Sequence, residues 1–158
     1  MDREQRKYQN TLIVTGGGVI AFGIWSLVRF MTYFLLNTRA MMELLGLESR
    51  EDVIFVYLVV FVMLLFDLAV RVFVGRAAIM EGTGRKKGNI YIAAAVVLLI
   101  WTAMSVYNDF LTFSRSYNDV LDGYAATLAD VTSMFILAEL LITAVRLKKM
   151  YREQDKAG

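Results

Sequence analysis

The chain contains no cysteine, no histidine and no proline in 158 residues. Without thiol or imidazole there is no disulfide, no thiolate nucleophile, no histidine base and none of the Cys/His sets that hold structural zinc. The sequence therefore predicts a protein that is not an enzyme and needs neither cofactor nor metal. Cysteine-free chains are compatible with any redox compartment, so this absence locates nothing. The absence of proline removes the commonest cause of a sharp helix kink, and broken helices build many carrier sites. Charge is scarce too: 20% of residues are charged against 58% hydrophobic, with mean hydropathy +0.52. Too few polar side chains remain to coat a soluble globule, which points to a lipid bilayer as the first partner. The 17 Lys and Arg nearly cancel the 15 Asp and Glu, leaving no continuous cationic surface, so no nucleic-acid partner is expected.

What is abundant is long apolar sequence. A helical span takes about 20 mostly apolar residues, and four segments meet that length, at 12–36, 53–74, 90–113 and 124–147. The first is too long for the apolar stretch of a cleavable signal and lacks a small-residue cleavage site, so it reads as a permanent helix. The expected fold is all-α and polytopic: one domain over 1–158 made of four antiparallel transmembrane helices.

Charge placement sets the expected orientation. Arg3, Arg6 and Lys7, then Arg76, Arg85, Lys86 and Lys87, then Arg146, Lys148, Lys149, Arg152 and Lys156 all fall on one side of a four-span chain. Only Arg39, Arg50 and Arg115 fall on the other. By the positive-inside rule both termini and the middle loop are cytoplasmic, and the membrane is expected to be the plasma membrane. The opposite face is acidic, with Glu43, Glu48, Glu51, Asp52, Asp109, Asp119 and Asp122. Segment 37–52 reads as a short amphipathic stretch in the outer headgroup layer.

Several patterns are weaker. Gly16, Gly17, Gly18 and Gly23 lie inside an apolar span with no preceding strand, so they signal helix packing rather than a dinucleotide loop, with Gly17 and Ala21 as a small-residue patch. Loop 82–88 carries Arg85, Lys86 and Lys87 among glycines, suited to the phosphate of an inner-leaflet lipid headgroup. Tyr107-Asn108-Asp109 is echoed by Tyr117-Asn118-Asp119, read as a polar cap at a helix end. The fragment from Asp119 through Asp122-Gly123 to Ala126 resembles the opening of the CDP-alcohol phosphotransferase signature, which would imply metal-dependent phosphoalcohol transfer. Thr127 stands where that signature needs Arg, and its downstream glycine and aspartates are missing. The activity is therefore not expected here.

The informative residues are ionisable groups inside the spans: Arg29, Asp67, Arg71, Asp130 and Glu139. Each costs roughly 2.5–3.5 kcal/mol at mid-membrane on insertion scales and requires a partner, water or a function. Counting at about 1.5 Å per residue puts Arg29 and Asp130 at one depth toward the outer side. Asp67 and Glu139 fall at one depth toward the inner side and Arg71 about one turn deeper, with Asp67 and Arg71 spaced i, i+4. Arg71 reaches Glu139 if the second and fourth helices are neighbours. Asp130 and Glu139 are nine residues apart, a half turn at about 100° per residue, so they face opposite ways. One inward stripe cannot hold both, so either neighbours wrap the fourth helix on both sides or one carboxylate meets another subunit, which a homo-oligomer accommodates more easily than a monomer; a protein partner is the other candidate.

Two function classes follow. An oligomeric channel or carrier for a cation or proton would use the surplus carboxylate of the inner layer. A non-catalytic scaffold or regulatory subunit would use the same charges for assembly. The size resembles that of the small multidrug carriers, but their motifs are absent.

Overall fold

A computed structural model describes residues 3–36, 50–85, 88–113 and 120–157. Four helices account for nearly all of them: α1 (Arg3–Leu36), α2 (Arg50–Gly82), α3 (Ile90–Phe113) and α4 (Val120–Ala157). Each is long and apolar enough to cross a membrane, and no strand occurs among the described residues. The interface reading of 37–49 lies outside the described residues, as do Lys86, Lys87, Tyr117, Asn118 and Asp119.

The helices meet because each carries a stripe with alternating spacings of four and three. On α1 the stripe is Gln5, Gln9, Leu12, Gly16 and Val19; on α2 it is Arg71, Val74, Ala78 and Glu81. On α3 it is Tyr91, Ala95, Leu98 and Thr102, and on α4 it is Ser133, Leu137, Leu140, Ala144 and Leu147. All of these residues are buried. A repeat of 3.5 residues is the spacing at which one helix keeps the same seam toward its neighbours in an antiparallel bundle. The outside is as apolar as the inside: Trp25, Phe55, Phe66, Trp101, Phe110 and Phe135 are all exposed. That surface suits lipid, where apolar side chains lose nothing by facing outward.

Helices α1 and α3 each pack against both α2 and α4, so α2 and α4 stand at opposite corners of the bundle. The tightest seam joins α1 to α2. A Cβ built on Gly75 would lie 2.5 Å from the Gly16 carbonyl oxygen, and one on Gly82 would lie 2.7 Å from that of Gln9. Gly17, by contrast, has nothing within 4 Å of its Cβ position, and Ala21 is exposed. The close approach thus belongs to Gly16, one residue and about 100° of helical turn away from the patch expected at Gly17.

Helix α2 continues well past Val74, so Arg76 and Glu81 are helical residues rather than loop residues. It stops at a Schellman turn in which Gly84, at φ +89°, donates to the Glu81 carbonyl while Arg85 donates to that of Met80. Glycine adopts this left-handed backbone without a side-chain clash.

Candidate functional site

The stripe on α2 is where charge enters the core. Arg71 is 7% exposed and spends its donors in three directions. Its Nε donates to Asp67 Oδ2 at 2.7 Å, Nη1 to Ser133 Oγ at 3.0 Å and Nη2 to Thr102 Oγ1 at 3.4 Å. One guanidinium therefore ties α2 to both α3 and α4 across the middle of the bundle. Room for its side chain comes from α1: a Cβ on Gly23 would lie 2.9 Å from Arg71 Cδ. Thr102 is held in turn by its own helix, through a bond to the Leu98 carbonyl at 2.8 Å.

Glu139 is not part of this group. It lies on the exposed face of α4, and among the described residues it makes no hydrogen bond or ion pair. Ser133, six positions earlier, takes the place opposite Arg71. Six residues of helix are about 240° of rotation, so Glu139 is turned away from the core when Ser133 faces it. The opposite corners of α2 and α4 leave only the central side chains in reach of each other. Arg29 and Asp130 approach to 3.8 Å with side chains 44% and 28% exposed, a long pair near one end of the bundle.

A second charged cluster was hidden from the sequence. Glu81 is 1% exposed, and its Oε2 accepts no hydrogen bond. It is balanced by Lys148 Nζ at 3.8 Å. Lys148 donates to the Gly88 carbonyl at 3.0 Å and to Asn89 Oδ1 at 2.7 Å, and it stands 5.3 Å from the centre of the Tyr91 ring. The lysine thus pins the turn between α2 and α3 onto α4. Glu81 continues the stripe of Asp67, Arg71, Val74 and Ala78. At the same end Gln9 donates to the Tyr151 hydroxyl at 3.2 Å and Arg146 to that of Tyr8 at 3.3 Å, joining α1 to α4.

Arg76 is the counterpart of Glu139. It is exposed on α2 and, among the described residues, it too makes no hydrogen bond or ion pair. Of the cations expected at a lipid phosphate, Arg85 is exposed at the turn after α2. The described residues contain no group of three or more Asp and Glu placed to hold a metal ion. Comparison of the chain with protein-family models, curated proteins and solved structures finds no match.

Proposed function

We propose that this small four-helix membrane protein is a non-catalytic scaffold or regulatory subunit, whose intramembrane charges serve assembly rather than carriage of a cation or proton. The supporting observation is the arrangement around Arg71. Each nitrogen of its guanidinium has a protein acceptor, and its carboxylate partner Asp67 is bound at 2.7 Å. A carrier would need a core carboxylate that can take up and release a cation, so its ion must be free to come and go. Here the surplus carboxylate of the inner layer, Glu139, is on the outer face instead, and the buried Glu81 has Lys148 as its counter-ion. Reconstituted in liposomes under an imposed pH or cation gradient, the protein is expected to carry no flux above empty vesicles. A flux that Asp67→Asn abolishes in a folded protein would restore the carrier reading.

In this reading both termini and the turn carrying Arg85 lie at the cytoplasmic surface of the plasma membrane, where basic groups meet anionic lipid or a protein partner. The chain has no native cysteine, which gives a clean labelling test. In intact cells, Lys149→Cys is expected to resist an impermeant thiol reagent and Glu48→Cys to react. Labelling at Lys149→Cys before lysis would invert the orientation.

A further inference from the structure

We infer that the protein assembles head to tail in the membrane plane, with Arg76 on the outer face of α2 in one copy paired to Glu139 on the outer face of α4 in the next. This rests on the assembly reading above and names its partner as a second copy of the chain. The first observation is that two opposite charges stand exposed on largely apolar helix faces, each without a partner among the described residues. A carboxylate facing lipid in mid-helix is costly, and a cation at the same depth is what relieves it.

Depth is the second observation. Helices α2 and α4 run in the same direction. Two contacts fix their register: Arg71 meets Ser133, 62 positions later, and Glu81 meets Lys148, 67 positions later. Arg76 and Glu139 are 63 positions apart, inside that bracket, so they lie at one level of the bundle.

The surrounding faces fit the same register. Above Arg76 the exposed stripe of α2 runs back through Phe73, Ala69, Phe66 and Val62; above Glu139 that of α4 runs back through Phe135, Thr132 and Leu128. Offset by 63 positions, Ala69 comes level with Thr132, a small pair that lets backbones approach, and Phe73 and Phe66 fall beside Phe135 and Leu128. The four-and-three spacing of both stripes is the one that packs parallel helices along a continuous seam.

Geometry then selects the mode. Because α2 and α4 occupy opposite corners, their outer faces look away from one another and cannot pair within one chain. In an isologous dimer each patch meets its own copy, which would set Glu139 against Glu139 or Arg76 against Arg76. Joining unlike faces is heterologous and generates a ring or a row of copies sharing one orientation in the membrane.

Cross-linking tests this in native membranes. Copies carrying Phe73→Cys and copies carrying Phe135→Cys, separately tagged and co-expressed, should form a disulfide-linked mixed dimer under mild oxidation, at least fivefold above either variant alone. A chain bearing both cysteines should give a ladder of multimers. On this background Glu139→Arg or Arg76→Glu should each lower the mixed product about tenfold, and the two together should return it to within about twofold of the original. Self-linking of Phe135→Cys at the mixed level would show an isologous α4 contact and overturn the proposal. Absence of mixed product, with both thiols labelled by a lipid-soluble maleimide, would overturn it too. So would insensitivity to the charge changes in variants that melt like the wild type. Liposome flux, in contrast, would remove the scaffold reading and leave head-to-tail assembly standing.

Discussion

Asp67→Asn is expected to destabilise the bundle by roughly 3 kcal/mol, measured by reversible unfolding in mixed detergent micelles. The substitution is nearly isosteric, so the loss comes from charge. An arginine side chain stays charged, and with Asn at position 67 it would sit in the core with no counter-ion, held by the amide oxygen and the Ser133 and Thr102 hydroxyls. Breaking a buried pair by removing one member typically costs about 3–5 kcal/mol. The lower end applies because the Asp67 side chain is 21% exposed. Arg71→Met should cost less, since it leaves behind the 21% exposed carboxylate rather than the 9% exposed guanidinium. Removing both members, as Asp67→Leu with Arg71→Met, should recover most of the single losses, because a packed apolar pair of similar volume is often as stable as the ions it replaces. The double-mutant cycle should therefore show a coupling of roughly 1–3 kcal/mol. Additive losses would mean that Asp67 and Arg71 act separately, and the core staple would not exist.

The number and type of elements were legible in the sequence because membrane spans are recognised by length, and length survives ignorance of packing. The i, i+4 spacing of Asp67 and Arg71 was equally readable, since it depends on one helix alone. Contacts between helices were harder, because they require depth and rotation together. Depth suffices for Arg29 and Asp130, which share one level of the bundle and lie 3.8 Å apart. It misleads for Glu139, whose level suits the inner layer but whose rotation turns it outward and gives its place to Ser133. The same one-dimensional count groups Arg76 with the middle loop by charge alone, although the helix runs on to Gly82. The stripe of Asp67, Arg71, Val74 and Ala78, extended by three residues, reaches Glu81 and would have placed it in the core. Arg76 is outside that stripe, and this phase difference separates a buried ion from an exposed one five residues away.

Two glycines on neighbouring helices, Gly17 on α1 and Gly75 on α2, should respond to alanine with opposite signs. Gly75→Ala is expected to destabilise the bundle by about 2 kcal/mol or more, whereas Gly17→Ala should be neutral or stabilising by up to about 1 kcal/mol. Both changes add one methyl group in mid-helix, and in a helix alanine is intrinsically the better residue. At Gly17 the new methyl meets nothing within 4 Å, so only the helix preference remains. At Gly75 it would lie 2.5 Å from the Gly16 carbonyl oxygen and 2.6 Å from Ile20 Cγ1. The isoleucine can rotate away, but the carbonyl belongs to the backbone of α1, so relief requires the two helices to separate. Separation loosens every contact along the seam, including Gly16 with Ala78 and Gly82 with Ile13. Close backbone approach is the chief source of helix association where lipid removes the hydrophobic drive. Thermal denaturation of the two single variants in one detergent should therefore show a lowered midpoint for Gly75→Ala and an equal or raised one for Gly17→Ala. If Gly75→Ala melted with the wild type, the α1–α2 seam would have room for a methyl group where a Cβ would lie 2.5 Å from the Gly16 carbonyl oxygen, and small residues would not be what sets the helix spacing.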